Sequence, residues 1–210
     1  MRYFTISEML RSDTALKMGI WNGANLEHEE NMRALVENVL DPLRARYGHP
    51  IYVSSGYRCP KLNNAVNGAI NSQHMRGEAA DIYAGLGGSI VSSQGTRDGG
   101  SQSAMRPSGG SASKGTIAPN DTTAPQNPHC GLDPQSPKPM NLVSENLKLA
   151  QMIAEAGNFD QMILEEVPEN SLEPRWIHVS YKRLGWNRRN ILKKVSGKAG
   201  YQTVSKEKLK

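Results

Sequence analysis

The chain has 210 residues, a length that fits one domain, or one domain with a long appendage. Its hydrophobic fraction of 37% and its two Phe are low for a globule of this size, so either the core is small or part of the chain stays outside it. The net charge of +5 suits anionic surroundings, whether nucleic acid, anionic lipid or cell-wall polymer, and Cys59 and Cys130 form neither a CxxC pair nor a disulfide framework.

The opening "MRYFTISEMLRSDTALKMGIW" holds no apolar run long enough for a signal-peptide core, and no later stretch reaches the length of a membrane span. Synthesis as a soluble protein in a reducing cytosol is expected. In "EENMRALVENVLDPLRARYG", Met32, Leu35, Val36, Val39, Leu40 and Leu43 follow the spacing of one helical face. Pro42 removes a backbone donor within that pattern, which predicts a kink or break near Asp41.

"IYVSSGYR" reads as a strand running into a turn, "PKLNNAVNG" as a short helix ended by Gly68, and "EAADIYA" as a buried strand. Between Gly85 and Met140 the composition shifts, with ten glycines, seven prolines and no aromatic residue other than His129. Such a segment buries too little apolar surface to offset its ordering entropy, so a disordered insertion over 85–140 is expected. "SENLKLAQMIAEAG" then predicts a helix capped by Ser144, and "FDQMILEE" and "WIHVSYK" predict an antiparallel strand pair. The domain is read as 1–84 joined to 141–195. The segment from Lys182 carries ten Lys or Arg against one Glu and is read as a solvated basic tail, with 196–210 outside the domain.

"SQHMRGEAAD" places His74 in a loop feeding the strand that carries Asp81, with Gly77 permitting a tight backbone approach and Ala79 and Ala80 leaving room beside the strand. Alternation in "WIHVSY" sets His178 on the face opposite Ile177 and Val179. Two imidazoles and a carboxylate suit zinc, and three protein ligands leave a tetrahedral position for water, the pattern of a catalytic site. His28, His49 and His129 are read as structural or solvated. Water activation needs a base, for which "FDQMILEEV" offers Glu165 and Glu166, of which alternation allows only one to face the metal; Glu173 is a further candidate. Arg58, at the end of its strand, could bind a peptide carboxylate, stabilise an oxyanion or serve as an ion-pair partner.

Taken together, "SGYR", the SxHxxGxAxD pattern in "SQHMRGEAAD", "FDQMILE" and "WIHVSY" resemble the M15 family of zinc peptidases, the D-Ala-D-Ala carboxypeptidase and dipeptidase group, and most of all its M15A-like branch, common in phages and prophages. The resemblance runs over nearly all of 1–84 and 141–181. It implies an α+β fold, a small antiparallel sheet flanked by helices and shared with the Hedgehog signalling domain. It also implies zinc (Zn2+) held by His74, Asp81 and His178, and hydrolysis of peptidoglycan stem or cross-bridge peptides, often beside D-amino acids. Glu165 matches the family's catalytic glutamate when the "FDQMILE" strands are aligned. Many members carry that glutamate three residues before the last histidine ligand, where this chain has Arg175.

The expected function is a zinc metallopeptidase acting on the cell wall after lysis or phage delivery, with Glu165 and Arg58 as catalytic residues. The rival is a zinc-stabilised cell-wall-binding module without hydrolytic activity. No specific nucleic-acid partner and no stable oligomer are expected, because the chain shows neither aromatic interleaving among its basic residues nor an extended heptad.

Overall fold

The computed structural model describes residues 1–85 and 140–209, with the side chains of the second stretch described from residue 145. Two short helices, α1 (Ile6–Leu10) and α2 (Asp13–Lys17), open the chain, each with a hydroxyl cap: Thr5 Oγ1 accepts from Glu8 N, and Ser12 Oγ from Ala15 N. Helix α3 (Leu26–Leu35) continues through a π-helical turn, Val36–Leu40, into α4 (Asp41–Tyr47). The break foreseen near Asp41 is this turn, in which Asp41 N–H donates to Val36 O, five residues back. Pro42 has no N–H for Asn38 O, and that carbonyl accepts instead from Asn158 Nδ2 at 2.9 Å. All six residues of the apolar face are buried.

Strands β1 (Ile51–Ser55), β2 (Ala79–Ala84), β3 (Gln161–Val167), β4 (Trp176–Ser180), β5 (Asn190–Val195) and β6 (Gln202–Thr203) form one sheet in the order β1-β2-β4-β3-β5-β6. Helix α5 (Pro60–Ala65) and a 3-10 turn (Gln73–Arg76) lie between β1 and β2, and helix α6 (Met140–Ala156) precedes β3. The architecture is α+β. Four strand pairs are antiparallel, and β3 and β5 run parallel, so the sheet is mixed rather than wholly antiparallel.

Alternation assigns one face of the sheet to the core: Ala80, Ile82, Ile177, Val179, Met162 and Leu164 are all fully buried. Helix α6 packs on this face through Leu149, Ala150 and Ile153. Asn146 of α6, also fully buried, accepts from Ala84 N through Oδ1 and donates through Nδ2 to Pro174 O and Arg175 O, fixing the helix to β2 and to the approach to β4. The same face thus leaves the opposite one free for chemistry.

Two expectations are corrected. Helix α6 starts at Met140, so Ser144 lies inside it and is not its N-cap. The basic segment after Lys182 is not a solvated tail: β5 and β6 extend the sheet, and Ile191, Val195, Val204 and Leu209 are buried. Ile191 and Val195 anchor the strand while Lys193 and Lys194 between them stay partly exposed. The insertion expected over 85–140 lies, apart from its end residues, outside those described.

Candidate metal centre

Asp81 and His178 are direct cross-strand partners on β2 and β4, so their side chains leave the same face of the sheet. His74 comes from the 3-10 turn just before β2, and that turn is closed by Gly77 at φ +70. A Cβ on Gly77 would stand 2.4 Å from His28 O, so the turn can approach α3 only with glycine there. His74 O accepts from Arg58 N and from Gly77 N, each at 3.2 Å.

The three ligand atoms form a nearly regular triangle. His74 Nε2 lies 3.2 Å from Asp81 Oδ1, His178 Nδ1 lies 3.0 Å from the same oxygen, and the two ring nitrogens are 3.1 Å apart. Three donors bound at about 2.0 Å in tetrahedral directions would be about 3.3 Å apart. The triangle therefore fits a small tetrahedral cation with little adjustment, and these residues are a group that could hold a metal ion.

The surroundings prepare each donor. His74 Nδ1 stands 2.7 Å from Gly56 O, which assigns the proton to Nδ1 and leaves the Nε2 lone pair facing the triangle. Burial pushes His74 below its ordinary value, against the pull of Asp81, which keeps the imidazole neutral as a metal requires. For Asp81, burial opposes ionisation, but the facing His74 and His178 rings outweigh it and hold the carboxyl well below the usual carboxylate range.

Arg58 lies beside the cluster with a defined partner. Its Nη2 donates to Asp81 Oδ2 at 2.7 Å and its Nε to Ser55 Oγ at 2.8 Å. Of the roles open to it in the sequence, the structure places it as the ion-pair partner that orients Asp81, leaving Oδ1 directed at the histidines.

Glu165 on β3 is the direct partner of Trp176 on β4, two residues from His178, and so stands on the metal face. Burial raises its carboxyl to about 7, Asp81 and Glu166 add to the rise, and His178 and Lys194 oppose it. Glu166 adopts φ +52 where the pairing of β3 with β5 shifts register, so that Leu164 and Val167, on either side of the two glutamates, both reach the core. Glu173 lies in the β3–β4 connection, its N–H donating to Ser171 Oγ. His28 stacks on Tyr57 at 5.2 Å and His49 meets Tyr47 edge-on at 5.5 Å, so neither joins the cluster, and His129 is outside the described residues.

One supporting group lies within the quoted motifs, which give it no role. Asp160, fully buried at the start of β3, accepts from Gln73 Nε2 at 3.1 Å, and Gln73 is the neighbour of His74. Burial would raise the Asp160 carboxyl, but Arg188, through its side chain and backbone N–H, and Lys182 hold it at about 2. The segment read as a tail thus braces the turn that carries a metal ligand.

Comparison with known proteins gives one family match. No curated protein matches the chain. Residues 2–92 match the family model described as Peptidase M15, a stretch that includes Arg58, His74 and Asp81 and ends before Glu165 and His178. β2 delivers Asp81 directly opposite His178, so the matched and unmatched parts of the chain build one centre, and over residues 2–92 the chain is similar to the peptidase M15 family.

Proposed function

We propose that this protein is a zinc-dependent peptidase that hydrolyses peptide bonds of peptidoglycan. The observation that carries the reading is a buried His, Asp, His triangle of tetrahedral dimensions with a glutamate of raised pKa on the same face of the sheet. His74, Asp81 and His178 would hold the ion. Zinc bound there supplies a Lewis acid that polarises a carbonyl and makes water acidic enough to attack at neutral pH.

Glu165 takes the proton of the attacking water and passes it to the leaving amine. In the metal-free protein burial raises this carboxyl to about 7, and a carboxyl so placed can both take and return a proton. Arg58 fixes the Asp81 carboxylate so that the ligand triangle does not have to reorganise during the reaction. A binding module without hydrolytic activity would give Glu165 no task, and its placement beside the triangle favours the enzyme.

The similarity to peptidase M15 and the charge of +5, which suits the anionic polymers of a cell wall, support this substrate class. Action on the wall would follow lysis or delivery by a phage particle. Mass spectrometry of soluble products from purified peptidoglycan tests the reading: new peptide termini that vanish with a chelator and return with zinc support it, and intact peptidoglycan after incubation with zinc-loaded protein contradicts it.

A further inference from the structure

On the metal face of the sheet, the rung next to the ligands is aromatic and basic. Beyond the Ile82–Ile177 pair, Tyr83 and Trp176 take the ligand face; Glu165 is the partner of Trp176. Continuing outward, β5 pairs with β3 and β6 with β5 through Lys193–Gln202, so Lys194 and Tyr201 occupy the next rung. Lys194 Nζ lies 5.2 Å from the centroid of the Tyr201 ring, and Tyr201 remains 56% exposed. In the pairing of β3 with β5, Lys194 falls between the partners of Leu164 and Val167, opposite Glu165 and Glu166, and its charge acts on Glu165.

Among the described residues Lys194 has no carboxylate within ion-pair distance, although it is half-buried beside an aromatic ring. Arg58, a second cation near the cluster, is bound to Asp81 and Ser55. A cation held close to the catalytic carboxyl, and not neutralised by the protein, is placed to accept an anion from outside.

We infer that Lys194, backed by the Tyr201 ring, forms a subsite that binds a carboxylate of the substrate peptide and so sets which bond reaches Glu165. This rests on the peptidase reading of the same cleft. The subsite belongs to β5 and β6, outside the stretch of the family match. The carboxylate is either the free C-terminus of a peptide or an acidic group within it, and both present the same two oxygens to an ammonium.

The test is calorimetric titration of the full chain, loaded with zinc, with three acetylated D-alanyl peptides: one with a free C-terminal carboxylate, its C-terminal amide, and an amide with a D-glutamyl residue. At least one carboxylate peptide is expected to bind about tenfold more tightly than the neutral amide, a size in reach of one desolvated charge pair. Lys194→Met removes that preference and Lys194→Arg keeps it. Which of the two carboxylate peptides is preferred names the source of the anion. Equal binding or no binding of all three, or a preference that survives Lys194→Met, overturns the inference. Hydrolysis followed on the same samples separates the two levels: cleavage without carboxylate preference leaves the peptidase standing and removes the subsite, whereas preference without cleavage keeps the subsite and removes the peptidase.

Discussion

Asp81 and His178 face each other across β2 and β4, with Asp81 Oδ1 3.0 Å from His178 Nδ1 and Asp81 Oδ2 held by Arg58 at 2.7 Å. One carboxylate is thus divided between a guanidinium that orients it and the point where a cation fits. That division makes the metal centre sensitive to either partner.

His178→Ala removes one of three donors and is expected to reduce bound zinc below one per chain in metal analysis after dialysis. In the wild type, zinc at a hundredfold excess over its dissociation constant stabilises the fold by about 2.7 kcal/mol, a shift of several degrees in the thermal midpoint. Differential scanning calorimetry with and without zinc checks this: the shift should be present in the wild type and largely lost in His178→Ala. Equal shifts in both would place the ion elsewhere.

Arg58→Lys keeps the charge but cannot present two donors at fixed angles to Asp81 and Ser55. Zinc affinity is expected to fall about 10-fold to 100-fold, the usual effect of losing a group that orients a ligand. Competition with a chromogenic chelator measures it. An unchanged affinity would free Arg58 for a direct role with substrate.

Glu165→Gln keeps shape and hydrogen-bonding capacity while removing the base, so kcat should fall about 10²-fold to 10⁴-fold with zinc content unchanged. The sign of the pH dependence follows from the raised carboxyl. In the metal-free protein Glu165 binds its proton more tightly when folded than when unfolded, so its penalty on stability is absent below about 4.5 and grows as pH rises through about 7. Glu165→Gln should therefore stabilise the metal-free protein at pH 8 by about 1–2 kcal/mol, allowing for partial solvent screening, and by nothing at pH 4. Urea titrations at the two pH values read the difference.

Asp160 carries the opposite sign. Held at about 2, its carboxyl contributes stability that is fully present above about 4 and is lost as pH falls toward 2. Asp160→Asn should cost about 2 kcal/mol at pH 7, from the loss of nearly two pK units of stabilisation, and should flatten the acid limb of the stability curve. Denaturant midpoints from pH 2 to 7 test both. A full-sized acid limb in the variant would assign the effect to other carboxylates.

The centre was legible where local chemistry wrote it. His74 and Asp81 sit in one short motif, and alternation along "WIHVSY" sets His178 apart from the core face, whereas in "FDQMILEEV" alternation leaves Glu165 and Glu166 open and only the family resemblance selects Glu165. What was not legible depends on partners distant in sequence. The lysines of "NILKKV" disguised a strand whose Ile191 and Val195 reach the core, and its parallel pairing with β3 leaves no mark in composition. Asp160 and Gln73, 87 residues apart, meet only once the sheet has formed. For Arg58, the sequence offered several partners, and only the position of Asp81 Oδ2 shows which one it has.

The measurement that tests the central claim most directly is a titration of zinc into the stripped protein, with bound metal and peptide release from peptidoglycan followed in the same samples. Release should rise in step with occupancy and level off at one zinc per chain, with Glu165→Gln binding the same zinc and releasing almost nothing. Saturation at one zinc per chain with no peptide released by the wild type would contradict the account.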